Sequence, residues 1–454
     1  MLPLAVLFFT AATVYAGTLN QASNFPVSPE VAAQYDCGRT CQRYLNQTNA
    51  MDLEDFDIPF DFDFYATANN FSGSKPGDVL KLFPVGPKLM QVPGGIATYK
   101  FQYTSVDLDN SIVPATAFIA FPFVRQSDPF KLVAFAHGTS GVFRGCAPST
   151  SSNLYDYHTW IPLLFAGYAV VGTDYAGLGN NYTSHKYISA SANANDLYWS
   201  AIAAKKAFPH DLSENWVSIG HSQGGGASWK LSEHELVQTD ESGYLGGVAI
   251  APNTHIYEAL LEAFKLLQGP AGEELQDYGS ASYLPSLYFA LRAVYPRYTA
   301  PFLSDIAKKR IELGEVAKLC ATALPAVLHD LNSSQLFSNL DLTGISTVKQ
   351  FQKLNAPAQG EKTSRPLLVI LGANDTTVFP SITTKAYKQS CKAGNAVHLS
   401  TYPGLEHSPV FGASAPEWLK FIDKLFHGRG LYNCSMKTAS PFDAHHASNP
   451  VEIG

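Results

Sequence analysis

Charge is scarce in this sequence. Asp, Glu, Lys and Arg make up 15% of the 454 residues, against roughly 25% in an average soluble domain, while apolar residues reach 46%. That balance excludes a disordered chain, which has high charge and too little apolar surface to offset the entropy of ordering. The charges present form no basic run, and 31 Lys and Arg stand against 38 Asp and Glu for a net −7. Without clustered cations to neutralise phosphates, no nucleic-acid partner is expected. Beyond residue 16 no uninterrupted apolar run reaches the about 18 residues of a membrane-spanning helix. A repeat of fixed period is also missing. What remains is a large packed globular protein, either one big domain with an insertion or two domains.

Met1 to Ala16 read MLPLAVLFFTAATVYA, an apolar run ending in Val14-Tyr15-Ala16. Small residues at −3 and −1 of a cut before Gly17 suit a signal peptidase, so residues 1–16 are expected to be a signal peptide and the protein secreted. Sequons at Asn46, Asn70, Asn181, Asn332 and Asn433 are candidate glycosylation sites. A sixth, Asn374, is expected to stay bare because of its neighbour, discussed below. Six cysteines, an even number, are compatible with three disulfides in an oxidising compartment, and they allow 15 pairings. Only Cys37 and Cys41 are close in sequence and no His pair lies near them, so no metal site is expected.

From Gly17 to about Pro93 the chain reads as irregular. Six acids between Asp52 and Asp63 alternate with Phe, as in a solvated segment with buried aromatic anchors. Around Asp78 to Val85 a first strand begins. Two β-rich runs follow, Ala97 to Val106 and Ile112 to Phe121. The pattern then changes to short apolar strands, each followed by a polar loop: Lys131 to Ala136, Tyr168 to Thr173, Trp216 to Gly220, Gly246 to Ala251, Leu367 to Leu371 and Val397 to Tyr402. Apolar strands alternating with helices imply an α/β fold, a mostly parallel sheet flanked by helices. Between Pro252 and about Arg365 no sheet strand is evident, and 255–268, 283–295 and 304–319 read as helices. Such apolar helices need covering, which points to a docked cap. The expected divisions are 17–252 for an N-terminal extension and the first part of the core, 253–364 for the helical cap, 365–430 for the rest of the core, and 431–454 for a tail.

Gly220-His221-Ser222-Gln223-Gly224 follows a strand and precedes a helical run, the context of a nucleophile elbow. The tight turn demands small flanking residues, and Gly220 and Gly224 supply them. Ser222 is the candidate nucleophile. A serine hydroxyl needs a base, and the base needs an acid to hold its tautomer. In this arrangement the chain order is nucleophile, acid, base. Asp375 follows the strand Leu367 to Leu371, and His407 follows the last strand just ahead of a helix. Asp174 lies before Ser222 and reads as part of a structural loop. His398 sits within a strand, and His427, His445 and His446 come too late. The candidate catalytic set is Ser222, Asp375 and His407. Two backbone N–H groups should receive the developing oxyanion. Gln223 is one, as the residue after the nucleophile, and Thr139 in the His137-Gly138-Thr139 loop is the other. His137 is expected to brace that loop.

Pro76-Gly77-Asp78-Val79-Leu80, the His-Gly-Thr loop with Gly145-Cys146-Ala147-Pro148-Ser149 behind it, the elbow, and the helical insertion before Asp375 together resemble the fungal secretory lipase family. That family comprises relatives of Candida antarctica lipase A within the α/β-hydrolase superfamily, and the resemblance spans most of the mature chain. It implies an α/β-hydrolase fold with a helical cap or lid before the catalytic Asp, secretion, no cofactor, and ester hydrolysis through an acyl-enzyme. It also implies a Cys146–Cys320 disulfide between core and cap, with Cys391–Cys434 and Cys37–Cys41 as the remaining pairs.

The expected partner is a small-molecule or lipid ester, with a lipid–water interface as one setting and no obligate protein partner. Two substrate readings stay open: a lipase on long-chain acylglycerols, and an esterase that deacetylates a fungal secondary metabolite such as a trichothecene-type ester. A serine aminopeptidase would need cap acids to hold an amine, and Glu258, Glu262, Glu273, Glu274 and Asp277 are the candidates. A non-catalytic binding protein on the same scaffold would be expected to lack the nucleophile or base, and both are present.

Overall fold

The computed structural model describes residues 20–267, 282–338 and 345–448. The expected leader lies outside these residues, as do Glu273, Glu274 and Asp277. Among the described residues ten strands form one sheet: β1 (Val79–Pro84), β2 (Ala97–Val106), β3 (Ile112–Phe121), β4 (Phe130–Ala136), β5 (Ala169–Thr173), β6 (Leu212–His221), β7 (Tyr244–Ile250), β8 (Leu367–Gly372), β9 (Val397–Tyr402) and β10 (Ser435–Thr438). Their order is β1-β2-β3-β5-β4-β6-β7-β8-β9-β10. The first three are antiparallel, β3 also pairs antiparallel with β5, and every pairing from β5 to β10 is parallel. Asn110, in the left-handed region at φ 65°, closes the β2–β3 hairpin.

The central strands are apolar on both faces because helices cover both. Every residue of β5 and of β8 is buried. One covering helix, Ala190–Ala207, starts where the Ser189 hydroxyl accepts from the Ala192 N–H, and its alanines let it lie close to the sheet. Wherever a parallel strand ends, the chain must turn towards the next helix. These turns gather on one side of the sheet, the standard place for a site in such folds.

Between β7 and β8 the described chain is helical: Ile256–Leu267, Leu284–Val294, Asp305–Ala317, Ala323–Ala326, Ser333–Leu336 and Ser346–Asn355. These helices share their own apolar core, which includes Leu260, Leu291, Ile311, Leu324 and Phe351. Cys146, behind the loop that follows β4, is bonded to Cys320 in this insertion, with their Cα atoms 5.5 Å apart. Cys37 is bonded to Cys41 and Cys391 to Cys434.

The structure corrects the reading of the N-terminal stretch as irregular. Arg39–Asp55 is a helix of 17 residues, and Ala32, Cys37, Cys41 and Leu45 belong to the apolar core of the cap. The acids of this stretch are not all solvated. Asp52 is buried, with its carboxylate accepting from the N–H groups of Thr322 (3.0 Å) and Ala323 (2.8 Å) at the start of a cap helix. Burial raises its pKa to about 6, against the opposing pull of those bonds. Phe56, Phe60 and Phe64 are buried anchors, whereas Phe62 is exposed. At the other end, Ser435–Thr438, within the expected tail, forms β10 beside β9. An acidic stretch and a four-residue polar strand carry too little periodicity to be seen before their partners are known.

Candidate active site

β6 runs into the helix Gln223–Ser232 through Ser222, which is held at φ 56°, ψ −114°. A non-glycine residue in this region is strained by about 1–3 kcal/mol, and its surroundings must hold it there. Gly220 and Gly224 do so by letting the turn close. A Cβ on Gly220 would overlap the Gly224 carbonyl, and one on Gly224 would overlap the carbonyl of Ala136 at the end of β4. The side chain of Ser222 thus projects beyond the ends of the parallel strands.

His407 and Asp375 meet it there from different loops. His407 Nε2 lies 2.8 Å from Ser222 Oγ, and His407 Nδ1 lies 2.8 Å from Asp375 Oδ2. Asp375 is buried, and its other oxygen accepts from the N–H groups of Thr377 and Val378, both at 2.8 Å. An anchored carboxylate, an imidazole and a hydroxyl therefore form one continuous hydrogen-bonded line. Asp174 is elsewhere, buried and bonded to Ser149 and Thr116.

The loop after β4 is held from four sides by tyrosines. Tyr175 donates to the His137 carbonyl (3.0 Å), and Tyr155 donates to that of Thr139 (2.6 Å). The Gly138 N–H donates to Tyr157 Oη (3.3 Å), and Tyr187 Oη lies 2.7 Å from Thr139 Oγ1. Burial pushes all four phenols up in pKa, so they stay protonated. The N–H of Thr139 is left with no acceptor among the described residues. Nor does the N–H of Gln223 have one, since a helix's first N–H groups have no partner within the helix. The two stretches are in contact, for a Cβ on Gly138 would lie 3.3 Å from His221 Nδ1.

Three buried histidines surround the site in neutral form. Burial lowers His137 to about 4, and its nitrogens face the carbonyls of Gly138 and Asp174. Burial lowers His185 and His221 to about 3, with neighbouring charge adding to the effect. His185 Nδ1 faces the Ala176 carbonyl, so its Nε2 is the acceptor for the side-chain amide of Gln223 at 3.0 Å. Neither the four tyrosines and His185 around the site nor the burial of His221 was legible in the sequence. Tyr155 and Tyr157 lie two turns of chain beyond the loop they hold, and no spacing rule marks them.

A cavity of about 120 Å³ opens from Ser222 and Gln223. Ile256, Ala259, Leu260 and Ala263 line it from one cap helix, Leu284 and Leu287 from the next, and Val378, Phe379 and Ile382 from the Asp375 side. Among the described residues lining it, none is Asp, Glu, Lys or Arg.

The same architecture occurs in solved structures. Candida antarctica lipase A in its closed state aligns with a TM-score of 0.64 over 87% of this chain and 92% of that one, at 18% identity. The chain has the α/β-hydrolase fold. A rice cell wall degrading esterase, LipA from Xanthomonas oryzae, shares this hydrolase fold with a TM-score of 0.60, at 17% identity over 78% of this chain and 100% of that one. A putative hydrolase of Legionella pneumophila does so with a TM-score of 0.60, at 19% identity over 78% and 99%. No family model and no curated sequence matches the chain. In this chain the helical segment follows β7, and the turn at Ser222 follows β6.

All six sequon asparagines, including Asn374 next to Asp375, are exposed.

Proposed function

We propose that this chain is a secreted serine carboxylic-ester hydrolase. The observation that carries the reading is the hydrogen-bonded line from Ser222 through His407 to Asp375. Ser222 Oγ attacks the ester carbonyl as His407 Nε2 takes its proton, and Asp375 stabilises the imidazolium. The oxyanion receives the N–H groups of Thr139 and Gln223, donors held in place before the reaction. His407 returns the proton to the departing alcohol, leaving an acyl-Ser222. Water, deprotonated by the same His407, then releases the acid and restores the serine. The lipase and esterase neighbours support the bond class, and the leader, exposed sequons and three disulfides support export.

The cavity, mostly apolar and with no Asp, Glu, Lys or Arg among its described lining residues, selects an acyl group without charge. Among the described residues no acid is placed to hold a substrate amine there: Glu258 pairs with Lys385 and Glu262 with Lys265, and neither lines the cavity. At about 120 Å³ it is near the size that accepts a benzene-sized group, roughly 150 Å³. This favours a short acyl chain over a long one in the form described. Initial rates on p-nitrophenyl esters from acetate to palmitate, with Ser222→Ala as the blank, test both parts. A maximum among the short esters is expected. A maximum at palmitate would reject the short-acyl reading, and no activity above the blank on any ester would reject the hydrolase reading.

A further inference from the structure

A second cavity, of about 650 Å³, lies on the other side of the cap helix Leu284–Val294. That volume is within the roughly 300–1,000 Å³ of small-molecule sites. The helix turns Leu284 and Leu287 towards the catalytic cavity, and Phe289, Arg292 and Ala293 towards this one. The two spaces differ in chemistry. The described lining of the first cavity holds no Asp, Glu, Lys or Arg, whereas the second sets cations among the rings of Phe25, Phe62, Phe143, Tyr182 and Phe289.

Its charge runs against the sign of the whole protein. Arg144, Arg292 and Lys318 line it, with Glu315 as the single described acid. Glu315 is engaged by Arg292 at 3.7 Å. The other two cations have no carboxylate partner among the described residues, and aromatic rings hold them instead. Arg144 Cζ lies 4.7 Å from the centre of the Phe60 ring, and its Nε–H donates to the Gly179 carbonyl at 3.1 Å. Lys318 Nζ lies 4.9 Å from the centre of the Phe143 ring. Burial lowers the pKa of Arg144, and among the described residues its guanidinium makes the single hydrogen bond to Gly179, leaving its other N–H donors for a ligand. Stacking a cation on a ring keeps it in place and leaves it charged.

We propose that this cavity is a binding site for an aromatic carboxylate. Arg144 and Lys318 receive the anionic head, and the Phe and Tyr side chains pack against the ring, whose edge-to-face contacts suit a planar body. The site is separate from Ser222 and does not depend on the hydrolase reading.

The test is isothermal titration calorimetry of 1-naphthoate at low salt. Asn181, a sequon at the cavity wall, is replaced by Gln throughout so that no glycan crowds the entrance. Naphthoate is expected to bind, naphthalene-1-methanol not to compete, and decanoate to bind more weakly. Arg144→Gln combined with Lys318→Gln should weaken naphthoate by about tenfold or more, the loss of at least one good charged contact. Glu315→Gln, which frees Arg292, should tighten it, so the proposal stays testable if the double variant folds poorly. No binding at low salt, or binding that none of these substitutions changes, would overturn the site. Equal affinity for acid and alcohol would overturn the anionic head, and equal affinity for naphthoate and decanoate would overturn the ring.

Discussion

His221 donates its Nε2–H to the main-chain carbonyl of His407, 3.0 Å away, and the two rings lie 4.7 Å apart at their centres. The carbonyl can only accept, so Nε2 carries the proton and Nδ1 is free to accept from Tyr157 Oη at 2.8 Å. Tyr157 Oη in turn accepts from the Gly138 N–H. One neutral histidine therefore ties the β4 loop, the elbow and the His407 loop into a single chain of hydrogen bonds. His221 is a positioning residue. His221→Phe is expected to lower kcat by about 10- to 100-fold with little change in KM, since a displaced base costs rate more than binding. Adding Tyr157→Phe should cost little more because both act through the same chain. Steady-state kinetics of the two single variants and the double would show additive losses if the residues act independently.

The Asp375–His407 bond predicts a large effect from an isosteric change. Asp375→Asn should lower kcat by about 10⁴, since the amide favours the wrong imidazole tautomer. Thermal unfolding should confirm an intact fold. A loss of tenfold or less would mean that another group orients His407.

Gly224→Ala tests the elbow's steric demand. A Cβ there meets backbone, the Ala136 carbonyl, and no flexible side chain can move aside. The destabilisation should be at least the ~1–3 kcal/mol of ordinary overpacking, read from urea unfolding. A variant as stable as the parent would show that the turn is looser than described.

The Cys146–Cys320 bond closes a sequence separation of 174 residues between core and cap. Replacing both cysteines with Ala should cost about 3–5 kcal/mol, the usual range for a long loop. Since Asn24, Asp52 and the helix Arg39–Asp55 also bind the cap, it should stay docked at neutral pH. Denaturant unfolding measures the first expectation, and limited proteolysis across 253–364 the second.

His221 also sets a pH dependence. Its folded-state pKa of about 3 lies below the unfolded value near 6.5. As pH falls through about 6.5 the unfolded chain takes up a proton that the folded chain refuses, so stability is lost towards pH 3. Buried acids such as Asp196, raised to about 7 by burial, act in the opposite direction, which makes the difference from a variant the useful quantity. Between pH 7 and 4.5 the parent should lose about 2–3 kcal/mol relative to His221→Gln. Parallel curves would mean that His221 protonates freely in the folded state.

Nine of the ten strands and the three long cap helices were legible, because each carries its own apolar period. The Ser222, Asp375 and His407 candidates were legible for a different reason: chain order and the strand ends confine each to one loop. Asp52 and the tyrosines around Thr139 were not. Asp52 reads as one acid in an acidic run until Thr322 and Ala323, some 270 residues away, turn their N–H groups towards it. Tyr187 reaches Thr139 across 48 residues, and nothing local marks such a pair.

The sequence by itself determined the α/β alternation and the helical segment between β7 and β8, and it named Ser222, Asp375 and His407 as candidates, since burial period and turn sterics act over a few neighbouring residues. Only the tertiary structure decided that Gln223 and Thr139 keep their N–H groups unspent, that His221 links two loops, and that cations and aromatic rings gather in a second cavity. Those outcomes depend on which donors and acceptors are left over after distant segments pack together, and that remainder exists only in the folded chain.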